Sequence, residues 1–273
     1  MDANFWTSSH YKQLIDAEEV NVVHQLDKER GITAEDCKLI KFHTSRCIVE
    51  LADGVKLQQR VAATAITYMR RLYTRKSMTE YNPCLVAATC LYLAAKSEET
   101  AVHAKLVAFQ ITEDPSKHIP MKISQVMFFV LSDNGLEQAF AGEVKYYSKE
   151  IHKMEMKILE ALNYYLLVFH PYRSMTQFLQ DAGVSNLAEQ TTGIINDTYK
   201  MDLVLVHPPH LIALACIFIA SFQNDKKITA WFEELRVDMN VVRSIAMEII
   251  DFYESYKVMS EKPRTRAVMD KLR

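Results

Sequence analysis

The sequence lacks an excess of charge of either sign. Its 32 Lys and Arg residues are matched by 34 Asp and Glu, which gives a formal net charge of -2. A protein that holds nucleic acid through the phosphate backbone is normally far more basic than this. We therefore expect no direct nucleic acid partner.

Long apolar runs and a leader pattern are also missing. No run of eighteen apolar residues occurs, and residues 1–12 show no basic stretch followed by an apolar core. We therefore expect neither a secretory leader nor a membrane partner. The cysteines are odd in number and form no C-x-x-C pair, which favours a reducing compartment. They are Cys37, Cys47, Cys84, Cys90 and Cys216.

The common catalytic motifs do not occur either. There is no G-x-G-x-x-G, no phosphate-binding P-loop and no H-E-x-x-H in the sequence. Two prolines separate His207 from His210, which prevents the helical spacing that metal ligands favour. We predict a protein that is not an enzyme and that has no cofactor and no metal site.

Glycine and proline are scarce, with 6 and 7 residues, and strand-like alternation is hard to find. Apolar residues recur instead at spacings of three and four in residues 57–73 and 148–168, which predicts amphipathic helices. The predicted buried faces consist of Leu57, Val61, Ala65, Tyr68 and Leu72, and of Ile151, Met154, Ile158, Leu162 and Tyr165. The pattern predicts an all-α protein.

Residues 82–95 predict a helix at the centre of a bundle. Asn82 is a favourable N-cap and Pro83 suits the first helical turn. The following CLVAATCLYLAA is apolar on every side, which is typical of a helix surrounded by others.

The same pattern returns later in the chain. PHLIALACIFIAS at 209 matches PCLVAATCLYLAA at 83 with an offset of 126 residues, and MEIIDFY at 247 matches MKILEAL at 156 with an offset of 91. We predict two copies of one helical unit, at 33–165 and 170–258, between an N-terminal segment (1–32) and a C-terminal tail (259–273). The difference of 35 between the offsets predicts an insert in the first copy, at about 109–147.

Two charged residues distinguish the first copy from the second. Lys96 aligns with Phe222, and Glu155 aligns with Ala246. The fold therefore needs no charge at either position, which makes Lys96 and Glu155 candidates for a function. The alternative is that Lys96 only complements the helix dipole and that Glu155 lies on a solvated face.

Several motifs resemble one known family. LAAKSEE at 93–99 and MEMKIL at 154–159, within a duplicated helical unit, resemble the cyclin box. NFWTSSHY at 4–11, VFHPYR at 168–173, NDTY at 196–199 and WFEEL at 231–235 are similar to the cyclin C branch of the family, in its plant form. The resemblance covers nearly the whole chain.

The resemblance implies two tandem five-helix cyclin boxes with an N-terminal helix, acting as a non-catalytic regulator of a cyclin-dependent kinase. Lys96 and Glu155 would contact the mobile helix of the kinase, supported by Glu98 and Glu99. The aromatic rings of Phe5 and Trp6 would contact the kinase or pack on their own domain. The cyclin C branch implies the Mediator-associated kinase, other subunits of its module, the nucleus, and transcription by RNA polymerase II.

The sequence departs from the cyclin pattern in two places. Residues 40–47 lack the apolar patch with which cell-cycle cyclins dock substrates, and the stretch between Lys96 and Glu155 is longer than in the family. We expect residues 110–142 to be the least ordered part of the chain.

The alternative function is a cyclin-fold transcription scaffold that contacts DNA through the basic cluster Arg70, Arg71, Arg75 and Lys76.

Overall fold

The computed structural model describes residues 4–100, 102–112, 137–226, 228–259, 268 and 271–272. All regular secondary structure in these ranges is helical, which confirms the all-α prediction. The core of the insert predicted at about 109–147 lies outside the described residues, and so does most of the segment expected to be least ordered. The box boundaries, 33–165 and 170–258, stay a prediction.

The helices fall into two compact units, and each is named here after its central helix. The α5 unit comprises His24–Gly31, His43–Leu166 and Leu272–Arg273; the α11 unit comprises Met1–Val23, Ile32–Phe42 and Leu167–Lys271. The helices up to Ala161 are α1 (Ala17–Val20), α2 (Gln25–Glu29), α3 (Ala34–Gly54), α4 (Gln59–Tyr73), α5 (Pro83–Ser97), α6 (Ala104–Thr112) and α7 (Glu137–Ala161). The later helices are α8 (Pro171–Asp181), α9 (Ala188–Thr198), α10 (Leu203–Val206), α11 (Pro209–Gln223), α12 (Thr229–Glu234) and α13 (Met239–Met259).

Helix α5 occupies the centre of its unit, as its apolar sequence predicts. The Asn82 side chain accepts hydrogen bonds from the backbone N–H groups of Cys84 and Leu85, and Pro83 stands in the first turn. Ten of its fifteen residues are buried, and it packs against α4, α6 and α7. This packing places the end of α5 beside α7.

Most of the residues of the two predicted faces are buried, with two exceptions. Leu57 lies before the first turn of α4 and is half-buried. Helix α7 ends at Ala161, and the backbone at Asn163 and Tyr164 adopts positive φ angles of 52° and 60°. These left-handed residues stop the helix. The prediction that Tyr165 belongs to the buried face was therefore wrong, because its ring lies beyond the helix and is exposed.

A buried carboxylate joins α2 to the loop after α4. Asp27 accepts hydrogen bonds from the hydroxyls of Ser77 and Thr79 and from the backbone N–H groups of Met78 and Thr79, at 2.6 to 3.0 Å. Burial raises the pKa of this carboxyl, but the four hydrogen bonds together outweigh it, and the net pKa is lowered. The ionised form of Asp27 therefore stabilises the α5 unit.

The α11 unit repeats the design of the α5 unit. Helix α11 begins at Pro209, is buried over most of its length and packs against α8, α9 and α13. Both central helices also end in the same way, 126 residues apart. Glu99 and Asp225 have left-handed φ angles of 55° and 51°, and the next residue in each copy, Thr100 or Lys226, donates its backbone N–H back to the last turn at 2.8 or 2.9 Å.

Across the described part of the chain, none of the helices is both long enough and apolar enough to cross a membrane.

Candidate functional site

Lys96 and Glu155 meet across α5 and α7. The Lys96 ammonium donates to Glu155 Oε1 at 2.6 Å, although the two residues are 59 positions apart in sequence. The two side chains differ in exposure: Lys96 is 51% exposed and Glu155 only 10%. The structure thus brings together the two residues that distinguish the first copy from the second.

Two aromatic neighbours hold this pair in place. The Lys96 ammonium lies 5.3 Å from the ring centroid of Tyr92, and the Tyr92 ring meets the His152 ring edge-on at 5.4 Å. His152 Nδ1 is 3.7 Å from Glu155 Oε2. Sequence reasoning missed Tyr92 and His152. Helical spacing could have found them, because they stand four and three residues before the charged partners.

The electrostatics of the pair keep Lys96 charged. Its pKa is raised, chiefly by the hydrogen bond to Glu155, while partial burial acts in the opposite direction. A lysine ammonium has three N–H donors, and Glu155 is the one acceptor that the described residues provide here. A half-exposed ammonium fixed by a buried carboxylate can therefore bind the carbonyl oxygens or a carboxylate of a partner.

Glu98 turns toward its own unit. Its carboxylate pairs with Arg60 at 2.5 Å and accepts a hydrogen bond from the Thr64 hydroxyl at 2.7 Å. It also caps α5, because its backbone N–H donates to the Ala94 carbonyl. These contacts connect the end of α5 to the first turns of α4, so Glu98 supports the geometry around Lys96 whether or not it also touches a partner.

Glu99 is exposed and stands directly after this cap. Its left-handed backbone is uncommon for a residue with a side chain and costs about 1 kcal/mol. The turn at Glu99 folds back on the last turn of α5, where the Glu99 backbone N–H donates to the Lys96 carbonyl at 3.3 Å.

Phe5 and Trp6 belong to an aromatic cluster in the α11 unit. They lie in a short 3-10 helix, Phe5–Thr7, capped by the Asn4 side chain. The Phe5 ring packs edge-on against Phe169 at 5.6 Å, whereas Trp6 contacts His210 and stays 54% exposed. Phe5 thus anchors the segment on its own unit, and Trp6 remains accessible to a partner.

Half of the basic cluster that suggested DNA contact lies inside the protein. Arg70 is buried and donates to the Ser45 hydroxyl at 3.1 Å, and Arg71 is buried with no hydrogen-bond partner at its two terminal nitrogens. Arg75 donates to the Ala161 carbonyl at 2.9 Å. Arg70 and Arg71 therefore cannot line a phosphate backbone, whereas Arg75 is exposed and Lys76 is half-buried. The DNA-scaffold alternative thus loses two of the four residues that suggested it.

The remaining sequence expectations concern docking and metal binding. Ile40 and Phe42 are buried, so the apolar residues of segment 40–47 do not form a docking patch on the surface. Among the residues described, no three His, Cys, Asp or Glu side chains are grouped so as to hold a metal ion.

Comparison with known proteins places this geometry in a family. The family pattern of the cyclin N-terminal domain matches residues 10–167, which is more than half of the chain. Cyclin-C1-2 of Arabidopsis thaliana is 54% identical over 275 residues, covering 100% of this chain and 98% of the relative. Cyclin-C of Rattus norvegicus is 33% identical over 278 residues, covering 100% and 91%.

The chain therefore belongs to the cyclin family, whose members are non-catalytic regulatory subunits of protein kinases. Its relatives of nearly equal length are cyclin C proteins of plants and of the rat. A solved chain in the ATP-γ-S-bound CAK complex of Chaetomium thermophilum has a similar fold, with a TM-score of 0.73 at 15% identity over 100% of this chain and 89% of that chain.

Proposed function

We propose that this cyclin binds and activates a cyclin-dependent serine/threonine kinase, and that Lys96 and Glu155 are its main polar anchors. The observation that carries the proposal is the half-exposed Lys96 ammonium held at 2.6 Å by a nearly buried Glu155. The second copy builds the same fold with Phe222 and Ala246 at these positions, so folding does not require the pair. A pair that folding does not require is a good candidate for recognition.

Activation would follow from selective binding. A kinase becomes competent when a Glu on its mobile helix pairs with the Lys that positions the ATP phosphates. The two free N–H donors of Lys96 suit carbonyl oxygens or a carboxylate on that helix in its active position. Moving such an equilibrium from about 1% to about 99% active requires roughly 10⁴-fold tighter binding to the active state. Glu98 and Glu99 support the site, and Trp6 adds a separate contact.

The full-length similarity to cyclin C proteins supports a narrower role. We propose that the partner is the Mediator-associated kinase, that other subunits of its module assemble with it, and that the complex regulates transcription by RNA polymerase II in the nucleus. The near-neutral charge of the chain fits a role that proceeds through proteins rather than through direct nucleic acid binding.

The test is a binding measurement with a matched control. Purified wild-type, Lys96→Glu and Lys157→Glu chains are titrated against the catalytic subunit of a Mediator-associated kinase. Lys157 is exposed on α7 and points away from Glu155, since two residues correspond to about 200° around a helix. Lys96→Glu should weaken binding by about 30-fold or more, because it removes one partner of a charge pair and adds repulsion.

The control decides how a loss of binding is interpreted. Lys157→Glu has the same change in charge and should bind within about threefold of wild type. Helical circular dichroism spectra of the three proteins should be nearly identical. If Lys96→Glu binds as tightly as Lys157→Glu, or if it unfolds the protein, Lys96 is not a kinase anchor.

A further inference from the structure

His152 closes a ring of four side chains that includes the Lys96–Glu155 pair. Glu155 Oε1 accepts from the Lys96 ammonium at 2.6 Å, and Glu155 Oε2 lies 3.7 Å from His152 Nδ1. The Tyr92 ring completes the circle, since its centroid is 5.3 Å from the Lys96 ammonium and 5.4 Å from the His152 ring centroid. Lys96 and His152 are 51% and 53% exposed, whereas Glu155 is only 10% exposed. One nearly buried carboxylate therefore holds two accessible, nitrogen-bearing side chains beside each other.

The second copy has no equivalent of this arrangement. By the offset of 91 residues, His152 aligns with Arg243, and Glu155 aligns with Ala246. Arg243 is exposed, and no carboxylate stands at the position that would hold it. The fold therefore does not require a histidine fixed by a carboxylate at this place on the helix.

The contact with Glu155 determines which group His152 presents to solvent. An imidazole nitrogen that faces a carboxylate oxygen carries the hydrogen, because two opposed lone pairs would repel each other. With the hydrogen on Nδ1, the neutral ring presents only the lone pair of Nε2 to a partner. A second proton turns Nε2 into an N–H donor. Protonated His152 and the Lys96 ammonium then present donors side by side.

The surroundings of His152 are cationic on balance. Helices α5 and α6 both pack against α7. The charged residues of α5 and α6, and those within one turn of His152 on α7, are Lys96, Lys105, Lys149, Glu150, Lys153 and Glu155. Both carboxylates are already paired, Glu150 with Lys153 and Glu155 with Lys96. Within 4 Å of the imidazole, the described residues provide no carboxylate besides Glu155. An anion from a partner would therefore stabilise the positive charge on His152.

We propose that Lys96 and protonated His152 together bind one carboxylate of the kinase partner, and that His152 takes up a proton from solvent as the complex forms. This inference rests on the proposed function, because it names the group that the Lys96–Glu155 site recognises. A carboxylate has two oxygens and can accept one N–H from each side chain. A donor group in the same place would face the Lys96 ammonium, which has no lone pair to accept it. A complex that binds one proton more than its separate components becomes tighter as the pH falls.

The experiment compares affinities at two pH values. Binding of the wild-type, His152→Gln, His103→Gln and Lys96→Glu chains to the catalytic subunit of a Mediator-associated kinase is measured at about pH 6 and about pH 8. On going from the higher to the lower pH, wild type should gain about fivefold in affinity relative to His152→Gln, since one unit of pKa shift corresponds to at most about tenfold. The two chains should bind within about twofold of each other at the higher pH, where neither side chain is charged. His103, another exposed histidine of the α5 unit, is the control, and His103→Gln should keep the wild-type pH dependence.

Lys96→Glu distinguishes a failure of this inference from a failure of the proposed function. If Lys96→Glu binds as tightly as wild type, both are wrong. If it binds weakly but wild type and His152→Gln respond equally to pH, only the role of His152 is overturned. A loss of wild-type affinity toward the lower pH, relative to His152→Gln, would mean that Nε2 accepts a hydrogen bond, and would also overturn it. The circular dichroism spectrum of His152→Gln should match that of wild type, because the side chain is exposed.

Discussion

Replacing Lys96 and replacing Glu155 should change the free energy of unfolding by different amounts, because only Glu155 is buried. Lys96→Met leaves the Glu155 carboxylate 10% exposed with His152 as its remaining neighbour. An unpaired buried polar group costs about 1 to 3 kcal/mol of unfolding free energy. Glu155→Met leaves only a half-exposed ammonium, which water can solvate, so the change should stay within about 1 kcal/mol. The second copy already tolerates an apolar residue, Ala246, at this position.

The assay is urea unfolding followed by far-ultraviolet circular dichroism. Tryptophan fluorescence would not serve, because Trp6 and Trp231 both belong to the α11 unit. Lys96→Met should lower the unfolding midpoint with an unchanged slope. The double variant should lose less than Lys96→Met alone, since no buried charge then remains unpaired. If Glu155→Met is as destabilising as Lys96→Met, the assignment of the buried and the exposed partner is wrong.

Three further stability predictions follow from other described residues. Asp27→Ala should lower the free energy of unfolding by about 3 kcal/mol, because it removes a charged hydrogen-bond acceptor. Since the pKa of Asp27 is lowered, wild type should lose this advantage as the pH falls through that depressed pKa. If the stability of the variant falls with decreasing pH as steeply as that of wild type, the prediction is wrong. Glu99→Gly should raise the free energy of unfolding by about 1 kcal/mol, because glutamate is poorly suited to a left-handed backbone. Asp225→Gly should raise it less, because aspartate tolerates this conformation better. A lower melting temperature for Glu99→Gly would refute the prediction. Burial lowers the pKa of Arg71 to about 10, and its two terminal nitrogens have no hydrogen-bond partners. Arg71→Met should therefore leave the free energy of unfolding unchanged or raise it. A decrease of more than about 2 kcal/mol in urea unfolding would count against this prediction.

Sequence patterns predicted the central helices and the repeat because these features depend on burial. An all-apolar helix such as α5 can satisfy its side chains only inside a bundle, and a repeated pattern reports a repeated core. The same logic identified Lys96 and Glu155, since charge at a position that is apolar in the other copy is not required by the fold. The identical helix ends at Glu99 and Asp225 agree with this repeat.

Side-chain direction was much harder to predict. Glu98 appears in sequence as an exposed neighbour of Lys96, but Arg60 and Thr64 draw it toward α4 from more than thirty residues away. The sequence predicts Arg70 and Arg71 at the surface, because arginine is rarely fully buried. Their long stems nevertheless fit the core of the α5 unit, and local spacing does not reveal this.

The central claim concerns activation, and kinase stimulation tests it most directly. The rate at which the catalytic subunit of a Mediator-associated kinase phosphorylates a serine peptide is measured as wild-type or Lys96→Glu chain is titrated in. Wild type should raise the rate to a plateau, and Lys96→Glu should need at least about 30-fold more protein to reach the same rate. Equal stimulation by both proteins over the same concentration range would contradict the account.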